Sequence, residues 1–469
     1  MKKRDLQPTP ENIQKTFLDD TIGRNTDLLY FIEIIESISD NYSIAIDSPW
    51  GSGKTFFVKQ LKMILDTHSI YTGCIIENED KIRDKWKQLS KDNGILTFSK
   101  NITIYYDAWE NDTDYDPIIS MIYQIVKDTN NYNKLKEKIT FSDVLSVAGK
   151  IAEIFAGFDP NEIAESLKKP NILDKLNEEK SISETIKEFL DSILPENDNN
   201  RLIIIIDELD RCNPKFAVKL LERIKHHFYN DKITFIFSVN LSELQHTISH
   251  YYGQNFNSGK YLDRFFDLRI SLPPANIKKY YESIEFYDSP NVIDTTIKHA
   301  ISHYNLQLRE ISKYIELMKA ITQKYNNAGS ISYSYAQNFI MQVIIPVAVG
   351  LKLTNPSKYI NFINGEDNTP LREFYNNKDI LNSASYFLSL LYDNKHELNF
   401  NDDAIMYVED FYRELDKFYD LFFNRNNEQT IGACKISDSD RQFFLSLISL
   451  LSEETISELK KYEDDCQGC

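Results

Sequence analysis

The sequence is poor in cysteine, has no surplus of basic residues, no long apolar run and no internal repeat, and each absence removes a class of protein. Five cysteines, Cys74, Cys212, Cys434, Cys466 and Cys469, are scattered over 469 residues. So sparse a set builds no disulfide framework, and a reducing, cytoplasmic setting is expected. The start, Met1 to Lys15, lacks the apolar core of a secretory signal. Acidic residues outnumber basic ones 71 to 53, a formal charge of -18, so a broad electrostatic grip on a nucleic-acid backbone is not expected. Two apolar stretches, Val144 to Phe158 and Phe339 to Leu351, are shorter than the roughly 20 residues of a spanning helix. The first carries Lys150 and Glu153 and the second Pro346, so both are expected to be buried helices with no transmembrane segment.

What is present is a folded chain. At 42% hydrophobic and 13% aromatic it is too apolar for disorder, and it is long enough for two or three domains. Up to about Pro274, short β-branched runs alternate with helical stretches: Ser43 to Asp47, Ile102 to Asp107, Leu202 to Asp207, Ile233 to Val239, and Leu268 to Leu272. Such alternation predicts an α/β fold, a parallel sheet covered by helices, with the isoleucine run Ile203 to Ile206 as a central strand buried on both faces. Polar stretches at about 68–100 and 134–200 read as insertions. From about Ile277 onward no strand pattern stands out. Ile405, Val408, Phe411, Tyr412, Leu415, Phe418, Tyr419 and Phe422 repeat at helical spacing, so the C-terminal region is expected to be all α.

Two motifs carry chemistry. Ser48-Pro49-Trp50-Gly51-Ser52-Gly53-Lys54-Thr55 joins the first strand to a helix over about Phe56 to Leu65. Glycines let backbone N–H groups turn inward around phosphates, and the helix N-terminus adds positive potential. Lys54 is expected to reach the β- and γ-phosphates of ATP, and the Thr55 hydroxyl to ligate Mg²⁺; Trp50, Gly51, Ser52, Gly53 and Phe56 complete the predicted nucleotide contacts. Ser48 stands where the pattern has glycine, and the inward N–H groups come mainly from Gly51 to Thr55.

The second motif is Leu202-Ile203-Ile204-Ile205-Ile206-Asp207-Glu208. A carboxylate at the end of a buried strand suits magnesium, and a neighbour can polarise water, so Asp207 is the expected metal residue and Glu208 the expected base. Alone, such a pair is more often a strand's solvated exit; the phosphate loop upstream reverses that balance. One strand lies between the motifs, which predicts a P-loop nucleoside triphosphatase of the additional-strand type with sheet order 5-1-4-3-2. Asn240, at the end of the strand Ile233 to Val239, is then a candidate sensor of the γ-phosphate, a role compatible with capping the next helix.

These residues resemble the KAP family of P-loop NTPases. Tyr105-Tyr106-Asp107-Ala108-Trp109-Glu110 is similar to the family's Phe-Asn-Ala-Trp strand, and Asp207-Glu208-Leu209-Asp210-Arg211-Cys212 to its Asp-Asp-Leu-Asp-Arg-Cys signature. Lys260-Tyr261-Leu262-Asp263-Arg264-Phe265-Phe266 before a Leu-Pro-Pro adds a further match. The resemblance implies an NTPase domain over 1–275, a helical lid-like region over 276–350 and a C-terminal helical domain over 351–469. Many family members carry transmembrane helices between the two motifs, but the corresponding segment here is too polar to span. Arg264 is the candidate finger reaching a neighbouring subunit, with Arg211 and Arg269 as alternatives, and Arg309 resembles a lid arginine. Thr21-Ile22-Gly23-Arg24 is expected, by the same resemblance, to border the adenine pocket. An ATP-hydrolysing switch follows, acting as a homo-oligomer on a protein effector. The family's bacterial phage-exclusion members suggest antiviral defence. A binding scaffold with little hydrolysis and a nucleic-acid-stimulated ATPase are the alternatives. Cys466-Gln467-Gly468-Cys469 lacks the second ligand pair of a closed zinc site and receives no function.

Overall fold

The computed structural model describes residues 7–38, 41–69, 78–90, 100–112, 116–129, 183–191, 200–228, 230–283, 292–326, 334–392, 408–423, 430–432 and 434–449. The Val144 to Phe158 stretch and the terminal Cys-x-x-Cys lie outside them. Contacts divide the chain into two units, Leu6–Phe286, and Tyr287–Cys469 together with Met1–Asp5.

In the first unit the five β-branched runs become β1 (Tyr42–Asp47), β2 (Lys100–Asp107), β3 (Asn200–Asp207), β4 (Ile233–Val239) and β5 (Leu268–Ser271). They form one sheet in the order β2-β3-β4-β1-β5, and each pairing is parallel. This is the predicted 5-1-4-3-2 order read from the other edge. Leu202 to Ile206 of β3 are fully buried, as expected of a strand with neighbours on both sides and helices on both faces. The register aligns Asp107 with Asp207 and Asp207 with Ser238, so the strand ends share one rim.

Helices cover the sheet because their apolar residues recur on one side. Pro214–His227 buries Phe216, Ala217, Leu220, Leu221 and Ile224 and starts from Asn213, whose side chain accepts the Lys215 N–H. The polar stretch at 68–100 contains the helix Glu79–Ser90, which buries Ile82 and Trp86. The described part of 134–200 is a helix at 183–191 that buries Ile186, Phe189 and Leu190.

The second unit is α-helical, with a two-residue antiparallel pair, Thr430–Ile431 with Cys434–Lys435, added to it. Val408–Phe423 buries Phe411, Leu415, Phe418, Tyr419 and Phe422 of the stripe anticipated from spacing, whereas Tyr412 is half-buried and Val408 exposed; Ile405 lies outside the described residues. The run at Phe339 to Leu351 sits in a continuous helix, Tyr335–Thr354, whose 20 residues make it long and apolar enough to cross a membrane. It is instead mostly buried inside this unit, 72% of its most apolar window being covered. Its turn widens to a π-helix at Ile340–Ile344, immediately before Ile345 and Pro346, where proline lacks an N–H and crowds the preceding turn. Three phenols donate to carbonyls of this stretch, the buried Tyr375 to Val343 at 2.9 Å and Tyr314 to Pro346 at 3.0 Å, and the half-buried Tyr304 to Val347 at 3.3 Å. Gly350 lets Tyr304 lie against the helix, since a Cβ there would come within 2.0 Å of the ring. Gly350→Ala is therefore expected to destabilise this unit by about 1–3 kcal/mol, read as a lower thermal midpoint, although alanine is the better helix former.

Candidate functional site

The loop after β1 takes its shape from two glycines. Gly51 and Gly53 have φ of 78° and 93°, which side-chain-bearing residues rarely adopt. Ser48 needs no such freedom, and its N–H is held by the Val239 carbonyl at 3.2 Å. Serine therefore serves where the usual pattern has glycine. The helix Lys54–His68 begins directly after Gly53. Lys54 is almost fully buried, and its Nζ donates to the Ser48 and Pro49 carbonyls of its own loop. Burial pulls the Lys54 ammonium below its ordinary range, while Asp210, Asp207, Glu208 and Asp47 oppose that pull. The Phe56 side chain is buried, leaving its backbone as the part that can face a ligand.

At the end of β3, Asp207 is 1% exposed. Its carboxylate accepts the Tyr105 hydroxyl at 2.9 Å and the Glu208 N–H at 3.0 Å, and burial pushes it above the usual carboxylate range. Glu208 has a left-handed backbone, φ 61° and ψ 23°, an uncommon conformation for glutamate that turns the chain sharply out of the strand. One Glu208 oxygen meets the Thr55 hydroxyl at 3.4 Å and the other the Arg211 guanidinium at 2.5 Å. Burial, then the neighbouring Asp207, push Glu208 up to about 7, with Arg211 opposing. Lys54, Thr55, Asp207 and Glu208 are thus brought together from two motifs more than a hundred residues apart in the sequence.

Other candidates fall in different places. Asn240 caps the helix Leu241–Tyr252, its side-chain oxygen accepting the Glu243 N–H at 3.4 Å. The Leu241 N–H goes to Asp47 at 2.8 Å, so this helix is pinned to the end of β1. Arg211 faces its own Glu208 and lies 5.6 Å from the Trp109 ring. Arg269 pairs with Asp263 at 2.6 Å, whereas Arg264 is exposed and makes no ion pair among the described residues. Arg309 lies on Leu308–Asn326 in the other unit. Two contacts escaped sequence reasoning, the Tyr105 hydroxyl on Asp207 and the Trp50 indole N–H on Asp210; Arg24, expected by resemblance to border the adenine pocket, donates to the Ser52 and Pro273 carbonyls. Asp210 is buried with its second oxygen unpartnered. Its place in the extended second signature was the one available signal.

Among the described residues no group of three or more His, Cys, Asp or Glu could hold a metal by itself. Magnesium at a phosphate site needs no such group, because water and phosphate oxygens supply most of its ligands. The Thr55 hydroxyl, 3.4 Å from Glu208, and the Asp207 carboxylate are hard oxygen donors that fit it.

A parallel sheet in this order, with a glycine loop after β1 and an acidic pair after β3, defines a P-loop nucleoside triphosphatase of the additional-strand type. The model of the KAP family P-loop domain matches residues 28–370, and the chain belongs to that family. No curated protein matches it. Among solved structures, the Aeropyrum pernix ORC2 protein in ADPNP-ADP complexes is similar at 11% identity, covering 89% of this chain and 94% of that one, with a TM-score of 0.29. Drosophila ORC bound to GC-rich DNA and Cdc6 is similar at 11% identity, covering 98% of this chain and 66% of that one, with a TM-score of 0.31. Likeness at that level assigns nothing to this chain.

The raised pKa of Glu208 has a consequence for stability. Between its ordinary value of 4.5 and about 7 the folded chain holds a proton that the unfolded chain releases. This contribution to stability is present at low pH and is lost as pH rises through about 7. Without nucleotide or magnesium, Glu208→Gln is therefore expected to melt close to wild type at pH 5 and above it at pH 8. A melting difference that does not grow with pH would contradict the assignment.

Proposed function

We propose that this chain is an ATP-hydrolysing, magnesium-dependent switch whose nucleotide state controls assembly or a protein effector. The observation that carries this reading is the convergence of Lys54, Thr55, Asp207 and Glu208 at the rim where β1 and β3 end. In it, Lys54 leaves the Ser48 and Pro49 carbonyls for the phosphates, so the charge held by the loop itself is transferred to the ligand. Thr55 and Asp207 would hold magnesium, which would supply charge neutralisation at the phosphate oxygens. Glu208 accepts the proton of the attacking water at a carboxylate oxygen once Arg211 releases it. A base near neutrality suits that task at physiological pH. Asn240 contributes its amide NH₂, the group its helix cap leaves over.

Arg264 is the proposed finger for a neighbouring copy, since it alone of the three candidates is without a carboxylate partner among the described residues. The helical region with Arg309 would report the nucleotide state to a partner. Antiviral defence in a cytoplasmic setting is the proposed biological role, resting on family resemblance. A second reading, a scaffold that binds nucleotide with little turnover, is favoured by the Glu208–Arg211 ion pair, which occupies the base.

Phosphate release from ATP and magnesium at several protein concentrations separates the two. The switch predicts turnover steeper than linear in protein, reduced at least about a hundredfold in Lys54→Ala and Glu208→Gln. Arg264→Ala should be inactive alone yet regain activity when mixed with Glu208→Gln. Turnover no faster in wild type than in Glu208→Gln would leave only the scaffold.

A further inference from the structure

Arg24 is 4% exposed, and among the described residues no carboxylate hydrogen-bonds to it. Its guanidinium donates through Nη1 to the Ser52 carbonyl at 2.9 Å and through Nη2 to the Pro273 carbonyl at 2.6 Å. Nε has no partner. Burial lowers its pKa to about 10, with the nearby Asp27 opposing, so it stays charged at neutral pH. A buried cation that spends its hydrogen bonds on two backbone carbonyls is costly, and so small a set of contacts is poor value for stability alone. The backbone before it is fixed on purpose: Gly23 has φ +70°, and a Cβ there would meet Asn276 Cβ at 2.4 Å, while Asn276 N–H bonds the Ile22 carbonyl at 2.9 Å.

The Ser52 carbonyl belongs to the same peptide plane as the Gly53 N–H, and in a trans peptide the two point in opposite directions. Gly53 tolerates either sign of φ, so the glycine that shapes the loop also leaves this plane free to turn over. Turned over, it would present an oxygen where a phosphate needs an N–H. We infer that Arg24 is a positioning residue for the phosphate loop: by holding the Ser52 carbonyl outward against Pro273, it keeps the Gly53 N–H directed at the phosphates. The inference rests on the reading of Ser48 to Thr55 as a phosphate site, and it assigns Arg24 to the phosphates rather than to the base. A planar fork is required, because an ammonium cannot span both carbonyls in the same geometry.

The test compares wild type with Arg24→Lys, which keeps the charge, and Arg24→Gln, which keeps a planar NH₂. Binding of ATP and of inorganic tripolyphosphate is measured by calorimetry with magnesium, and folding by circular dichroism and thermal midpoint. Folded variants are expected to lose about tenfold or more in affinity for both ligands. Unchanged affinity in folded variants overturns the inference. Loss for ATP but not for tripolyphosphate also overturns it, in favour of a contact with the base. Failure of both variants to fold makes Arg24 a residue of the fold alone and equally overturns it. Wild type that binds neither ligand would overturn the nucleotide reading itself, an outcome distinct from binding that the variants leave intact.

Discussion

The site depends on one constraint, that all five strands run the same way. Parallel pairing in register carries the C-terminal ends of β1, β2 and β3 to a single rim, and each ends in aspartate: Asp47, Asp107 and Asp207. Burial above all, and for Glu208 next the neighbouring Asp207, holds the Asp207 and Glu208 carboxyls above the usual carboxylate range. The fold tolerates this because the same rim receives cations and N–H groups from the segments that follow the strands. Lys54 comes from the helix after β1, Arg211 from the turn after β3, and the Leu241 N–H from the helix after β4. None of these could be reached if one strand were reversed.

The arrangement is a balance of partial satisfactions. Lys54 rests on carbonyls of its own loop, Glu208 is divided between Thr55 and Arg211, and Asp210 gives one oxygen to Trp50 and leaves the other unpartnered. Buried polar groups left short of partners are expensive, so groups of this kind are held by the surrounding structure rather than by each other. A site assembled this way is prepared to exchange internal contacts for contacts to a ligand with little rearrangement of the sheet beneath it.

Much of the sheet was legible because its signal is local. A buried parallel strand must be apolar on both faces, so Ile203 to Ile206 announces itself, and a single strand between the two motifs leaves one sensible order. The phosphate loop was legible for a related reason, since its function requires glycines at fixed spacing. What could not be read were contacts between distant positions. Arg24 meets Ser52 and Pro273 across 28 and 249 residues, and Trp50 meets Asp210 across 160. An arginine before a helix has many uses, and nothing nearby distinguishes a cation that clamps a loop from one that solvates a surface. The apolar run around Pro346 was read as Phe339 to Leu351, shorter than the helix Tyr335–Thr354 that contains it, because a widened turn just before the proline lets the helix continue through it.

That widened turn bears on how the chain chooses its surroundings while it folds. Apolar side chains of Tyr335–Thr354 would be as well solvated by lipid tails as by protein, so hydrophobicity alone gives this segment no reason to prefer the interior of its own unit. The backbone supplies the reason. Tyr375 offers its hydroxyl to the Val343 carbonyl in the widened turn, Tyr314 and Tyr304 offer theirs to Pro346 and Val347 just beyond it, and hydrocarbon offers none. Three phenols thus act as an address, making the protein the better solvent for a helix that a bilayer would otherwise accept.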